Sequence, residues 1–535
     1  MRYNVEHPPT QHPVPGHSGT APTEVGPEPL TVEQVMAVAR GRASVRLSES
    51  AEQGIGDTRK HIDTLAAAEQ PTYGVSTGFG ALAIRHIPPE RRAALQASFV
   101  RSHAAGAGDP VEPEVVRALM LLRLHTVATG RTGVRPETAH ALAELLNSGI
   151  VPVVHEYGSL GCSGDLAPLA AVALALTGEG EVFDAAGARR PAAEALPEAG
   201  IRPVTLAEKE GLALTNGTDG MLGMLVLALR DLSELVDVAD VTAAMSVEAL
   251  LGTDRAFAAD LQALRPHPGQ AHSAARMRAL LADSPVVASH RGPDCTRVQD
   301  AYSMRCSPQV HGSARDTIEH AATVAERELA AAIDNPVVLD DGRVESNGNF
   351  HGAPLAHVLD FLAIPLADVA GIAERRTDRM LDVARSQGLP AFLADDPGVD
   401  SGYMIAHYTQ AGVVTDLKRA ANPASVDSIP TSAMQEDHVS MGWSAARKLR
   451  TAVSGLRKVL AVELLTAARA LDLRAPLRPA PATAAVRDLL RTQVSGPGPD
   501  EHVAPQILAA EQLLASGEVH RAAAEHVDPV LGGHS

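Results

Sequence analysis

Apolar side chains recur at helical spacing over long stretches of this chain. Leu355, Val358, Leu359, Leu362, Leu366 and Val369 form one stripe, with a kink predicted at Pro365. Val453, Leu456, Val459, Leu460 and Leu464 form another. Residues 88–148 and 221–251 also read as helix, and Thr31-Val-Glu-Gln34 reads as a capping box opening the first helical stretch. Strand signal is confined to a short extended piece at 149–155 and a Gly/Pro/Ala-rich run at 180–203. Helices this long with so little strand between them predict a mainly α fold, a central bundle of long helices preceded by a mixed, loop-rich N-terminal domain. The expected division is a disordered Pro-rich head at 1–30, an N-terminal domain at 31–220, the bundle at 221–475 and a C-terminal helical segment at 476–535. The head holds seven prolines in its first 29 residues and shows no periodicity.

Composition narrows the function. Of 535 residues, 45% are hydrophobic and 3% aromatic, which suits Ala/Leu/Val helical packing. A net charge of −18 without a basic block makes nucleic acid and anionic membrane surfaces poor partners. Three cysteines in so long a chain are no disulfide framework, and no CxxC pair suggests zinc. Apolar runs such as Leu166–Leu176 fall short of a membrane span, and the expected location is the cytoplasm.

The chemistry-bearing side chains cluster in loops between helices. Gly158-Ser-Leu-Gly-Cys-Ser-Gly-Asp-Leu166 surrounds Ser163 with small or backbone-permissive residues. It reads either as a glycine-rich turn capping the next helix, with Asp165 in its first turn, or as a tripeptide able to cyclise. In the second reading the nitrogen of Gly164 closes onto the carbonyl carbon of Cys162. Loss of two waters then leaves a 4-methylidene-imidazol-5-one (MIO), an electrophile no ordinary side chain provides. The run does not fit a G-x-S-x-G elbow, so a serine hydrolase is excluded. Tyr73 lies in a glycine-punctuated loop, as a packed hydroxyl or a base. Gln299, Tyr302 and Arg305 are three apart, so one helical turn would align them, and Arg305 suits either carboxylate capture or a structural ion pair. His103 stands alone beside small residues, and Gln435-Glu-Asp-His438 supplies too few ligands for a metal, so none is expected.

Together these stretches resemble the aromatic amino acid lyase family, in its histidine ammonia-lyase branch, from about Thr31 to the C-terminal helices. The carriers are Tyr73-Gly-Val-Ser-Thr-Gly-Phe-Gly80, Ser102-His-Ala-Ala-Gly106, Gly161-Cys-Ser-Gly-Asp-Leu166, Thr215-Asn-Gly-Thr218, Val298-Gln-Asp-Ala-Tyr-Ser-Met-Arg305, Gly348-Asn-Phe-His351 and Pro430-Thr-Ser-Ala-Met-Gln-Glu-Asp-His438. Each is weak alone, and the ordered set is specific. One departure is Cys-Ser-Gly where Ala-Ser-Gly is commoner; ring closure needs only the backbone of Cys162.

The resemblance implies the ammonia-lyase, fumarase/aspartase-like bundle, with the N-terminal domain bearing MIO formed from Cys162, Ser163 and Gly164 and no dissociable cofactor. It implies conversion of L-histidine to trans-urocanate and ammonia, the first step of histidine degradation, in a homotetramer with shared active sites. The roles it implies are Tyr73 as β-proton base, Arg305 on the substrate carboxylate, and Asn216 and Tyr302 orienting amine and prosthetic ring. Gln299 and Phe350 line the pocket. His103 and Glu436 set the choice of substrate, since an imidazole wants a polar partner at its far end. The alternative is a tyrosine or phenylalanine ammonia-lyase or 2,3-aminomutase using the same group.

Overall fold

The computed structural model describes residues 21–68, 70–78, 85–292, 295 and 297–527. The fold is mainly α. The chain forms two compact units, and neither is a contiguous stretch of the sequence. The first unit comprises Met1–Gly223, Glu328–His351 and Pro430–Asp437; the second comprises Met224–Arg327, Gly352–Ile429 and His438–Ser535.

In the first unit the Thr31 hydroxyl accepts from the Gln34 amide while the Gln34 side chain accepts from the Thr31 amide, so the capping box is formed. Residues 21–30 depart from the expected disordered head; residues 1–20 lie outside the described residues. Thr23–Val25 is a strand paired in parallel with Val45–Leu47, and Val25 and Leu30 are buried. Burial of those two apolar side chains and the paired strand edge offset the ordering entropy that the local Pro/Gly content would otherwise leave uncompensated. Helices Pro89–His103, Pro113–Ala128 and Pro136–Asn147 each begin with proline, which loses no hydrogen bond in a first turn. The other described strands are short. Ala107–Pro110 pairs with His155–Tyr157, Val151–Pro152 joins Glu181–Phe183 and Arg189–Pro191, and Val337–Val338 pairs with Val344–Glu345.

Two buried charge pairs hold this unit across long sequence distances. Arg123 pairs with Asp219, and Lys209 pairs with Asp334 with both side chains fully buried. Such pairs are costly to break because one partner would leave an uncompensated charge in the core.

The second unit is the helical bundle. Helices Ala353–Leu381, Met404–Ala420 and Gly442–Asp472 pack against one another, and both apolar stripes read from the sequence are buried on them. Pro365 lies inside the first of these helices. That helix is long and apolar enough to cross a membrane, yet most of its apolar window is buried within the protein. Across the bundle the Arg376 guanidinium meets the Glu463 carboxylate, which also accepts from Thr242 and Ser246. Asp240 accepts from His311 and Arg315; against full burial, the Arg315 charge and the His311 hydrogen bond hold its carboxyl down at about 2.

Candidate active site

The site is built around the turn that precedes helix Leu166–Leu176. Gly161 and Gly164 have φ of 66° and 76°, the left-handed region that glycine adopts without strain. Asp165 occupies the cap position of this helix but its side chain makes no capping bond there. Its carboxylate instead accepts from the amides of Gly220 and Met221, each at 2.9 Å, and from the Ser159 hydroxyl at 2.8 Å. Those amides open helix Asp219–Ala249, whose first N–H groups have no partner within the helix. Asp165 is therefore tied to a different helix from the one its position in the sequence suggests.

Backbone contact is just as close. The Asp165 amide donates to the Gly217 carbonyl at 2.7 Å, and Gly164 and Gly217 form a bridge. A Cβ on Gly164 would lie 2.1 Å from the Gly217 oxygen, and one on Gly217 would meet the Arg123 guanidinium at 1.6 Å. The Gly161–Asp165 turn and the Thr215-Asn-Gly-Thr218 loop therefore meet through two glycines where no side chain fits. Asn216 is buried in that loop and donates to the Leu212 carbonyl at 3.4 Å. Gly74, next to Tyr73, packs on the Leu212 side chain, so the Tyr73 turn reaches the same segment. Tyr73 itself is half-buried, and Phe79 and Gly80 of its loop lie outside the described residues.

Burial pushes the Asp165 carboxyl up to about 7, assisted by the nearby Asp219 and opposed by its three donors. The folded chain thus keeps a proton that the unfolded chain has released. This stabilisation is complete below about pH 4 and is lost progressively as the pH rises to about 7. Asp165→Asn lacks this titration while keeping an acceptor oxygen. Its stability relative to the natural chain is expected to rise by about 2 kcal/mol between pH 5 and pH 8, read from denaturant melts at both.

Glu436 is brought to Ser163 from a distant part of the chain. The Ser163 hydroxyl donates to Glu436 Oε1 at 3.0 Å, and the Cys162 thiol donates to Oε2 at 3.4 Å. The Thr431 hydroxyl also donates to Oε2, at 3.0 Å. A short turn carries the carboxylate: the Thr431 amide donates to the Glu436 carbonyl at 2.9 Å, and Ser432, Ala433 and Met434 between them all have positive φ. Three such non-glycine residues in a row store strain that the surrounding contacts must hold. Cys162 is buried, and burial followed by the Glu436 charge pushes its thiol up to about 12. It stays an S–H donor at any working pH.

His103 ends helix Pro89–His103 with its ring 3.8 Å from Phe99. Its Nδ1 is 2.9 Å from the Phe99 carbonyl, which can only accept, so the proton sits on Nδ1 and Nε2 is the acceptor of the neutral ring. Burial holds His103 below the usual histidine range, against the pull of the Phe99 carbonyl and of the Glu436 charge. His103, Cys162, Ser163 and Glu436 thus share one electrostatic environment. Phe350 is half-buried in the same unit, beside Asn347, whose amide donates to the Asp334 carbonyl.

Gln299, Tyr302 and Arg305 belong to the second unit. The helical turn spans only Tyr302–Arg305, so Gln299 precedes it and does not share its face as the spacing predicts. Residue Ala301 is extended, which ends the helical register before Gln299. Arg305 lies over the Tyr302 ring at 4.7 Å and makes no ion pair among the described residues. A stacked guanidinium without a carboxylate is available to a carboxylate ligand.

Sequence reasoning missed two parts of this site. It gave Thr431 no role, although the residue sits in the quoted Pro430–His438 motif. It also placed Asp165 at the start of its own helix, where the residue stands, but gave its carboxylate no partner on helix Asp219–Ala249. Neither contact has a local signature.

The family model for aromatic amino acid lyase matches residues 30–492. Histidine ammonia-lyase of Streptomyces coelicolor is 63% identical over 507 residues, covering 95% of this chain and 99% of that protein. Among solved structures, histidine ammonia-lyase from Trypanosoma cruzi superposes with a TM-score of 0.88 at 38% identity, covering 96% and 97% of the two chains. Tyrosine aminomutase from Streptomyces globisporus gives 0.89 at 38% identity, covering 95% and 99%.

Proposed function

The chain belongs to the aromatic amino acid lyase family, and as an ammonia-lyase of that family we infer that it converts L-histidine to trans-urocanate and ammonia. The observation that carries the choice of substrate is the carboxylate of Glu436, held beside Ser163 by Cys162 and Thr431. An imidazole N–H needs such an acceptor, whereas a phenyl ring would leave it unpaired in a partly buried site.

The residues present fit the prosthetic group of this family. Gly164 stands where a Cβ would strike the Gly217 carbonyl, Ser163 carries a β-hydroxyl bonded to Glu436, and Cys162 need contribute only its backbone. Cys162, Ser163 and Gly164 would form and hold MIO, which supplies an electrophilic carbon for the substrate amine and a sink for its electrons. The need is quantitative: a carbon acid about ten pKa units weaker than its base costs about 14 kcal/mol before any intrinsic barrier.

The chain's own groups do the remaining work. Tyr73 takes the β-proton, in the reading that family resemblance supports. Arg305 receives the substrate carboxylate with a guanidinium that no acidic side chain neutralises among the described residues. The family resemblance supports Asn216 and Tyr302 as the residues that orient the amine and the ring, and Gln299 and Phe350 as pocket residues. His103, neutral with its acceptor nitrogen at Nε2, can take a hydrogen bond from the substrate without adding charge. The same resemblance supports a cytoplasmic homotetramer, which sedimentation would test.

Purified protein is expected to release urocanate from L-histidine and to weigh roughly 36 Da less than its sequence, for two lost waters. Turnover of tyrosine instead, or formation of a β-amino acid, would replace this reading with the alternative lyase or aminomutase.

A further inference from the structure

The two oxygens of Glu436 have different partners, and the difference follows the chemistry of Ser163. Oε2 accepts from the Cys162 thiol and the Thr431 hydroxyl. Oε1 accepts from the Ser163 hydroxyl, the group that dehydration removes. We propose that Cys162 and Thr431 are positioning residues that lock Oε2 of Glu436, so that Oε1, released when Ser163 loses its hydroxyl, is the atom offered to the substrate.

This assignment rests on the histidine-lyase reading above and deepens it. A carboxylate has two oxygens and about four acceptor sites, and an unrestrained side chain would rotate between them. Two donors on one oxygen, together with the Thr431–Glu436 backbone bridge, fix which oxygen turns toward Ser163. The thiol has a particular advantage as one of the clamps, because it hangs on the residue whose carbonyl carbon enters the ring. Through it the acceptor for the substrate side chain is tied to the electrophile for the substrate amine. The burial and charge that keep Cys162 protonated make this a permanent donor. The commoner Ala-Ser-Gly tripeptide lacks this clamp. The Cys-Ser-Gly sequence therefore has a consequence for the carboxylate even though it has none for ring closure.

The test uses the full-length enzyme and four variants, Cys162→Ala, Cys162→Ser, Thr431→Val and the double Cys162→Ala/Thr431→Val. Each is weighed intact and assayed for kcat and KM with L-histidine. Cys162→Ala carries the residue commoner in the family, so it is expected to fold and to keep the roughly 36 Da loss. Its kcat/KM is expected to fall about 5-fold, mainly through KM, as for a lost weak donor to a charged acceptor. Cys162→Ser restores the value to within about 2-fold, because a hydroxyl donates as the thiol did. The double variant falls about 30-fold or more, since both donors serve one oxygen and their losses couple.

Three results would overturn the proposal. One is unchanged constants in mass-verified Cys162→Ala. Another is a serine variant no better than alanine. The third is loss of the mass signature in Cys162→Ala, which would assign the thiol to ring formation instead. Failure of the underlying reading looks different: Glu436→Gln would then leave histidine turnover intact.

Discussion

Ser163→Ala is expected to lower kcat/KM for L-histidine by at least about four orders of magnitude, and to leave the chain at its full sequence mass. The size follows from the barrier. Without an electrophile in the site, the roughly 14 kcal/mol acidity deficit of the β-hydrogen falls on ordinary side chains, and each 1.36 kcal/mol is tenfold in rate. The fold gives a reason to expect no confounding collapse. Among the described residues the hydroxyl of Ser163 makes a single hydrogen bond, to a half-buried carboxylate, and losing it costs about 1 kcal/mol of stability at most. Circular dichroism and melting of the variant should therefore match the natural chain to within a few degrees. A variant that keeps even a hundredth of the activity would show that the tripeptide is no more than a turn.

How much of this was legible beforehand depended on how far apart the interacting residues lie. The apolar stripes on Ala353–Leu381 and Gly442–Asp472 are local periods, and they are buried in the structure as their spacing predicts. The Thr31 capping box is likewise written in four consecutive residues. The interleaving of the two units is not, because it depends on contacts such as Lys209 with Asp334, two charged residues whose individual positions look like any solvated loop. Asp165 illustrates the same limit at the site. Its position fits a cap for the helix that follows it, but its carboxylate serves amides 55 and 56 residues later. Glu436 reaches Ser163 across 273 residues, so only the family pattern pointed to it, and nothing local marked Thr431 as its companion. Gln299 fails for the opposite reason. Its three-residue spacing from Tyr302 is a helical period, but the helix begins only at Tyr302, three residues too late to include it. Periodicity reports on packing faces; it cannot report on polar partners brought in from elsewhere.

Glu436→Gln separates substrate choice from electrophile formation. Cys162, Thr431 and Ser163 all direct hydrogen-bond donors at this side chain. A glutamine has one acceptor oxygen and one amide nitrogen that can only donate. If its oxygen takes the two donors now on Oε2, the nitrogen faces the substrate and opposes an imidazole N–H. If it turns over, the nitrogen faces a thiol and a hydroxyl that expect an acceptor. Either way a polar mismatch replaces a charge-assisted hydrogen bond, and kcat/KM for L-histidine is expected to fall by about 10²–10⁴-fold. The half-buried setting of the residue keeps the stability cost small, and the tripeptide backbone is untouched. The variant should therefore still weigh roughly 36 Da less than its sequence. Discrimination should weaken in parallel: tyrosine and phenylalanine offer no imidazole N–H, so their low turnover changes far less. Unchanged histidine kinetics in a mass-verified Glu436→Gln enzyme would remove the carboxylate from recognition and return tyrosine to the front as substrate.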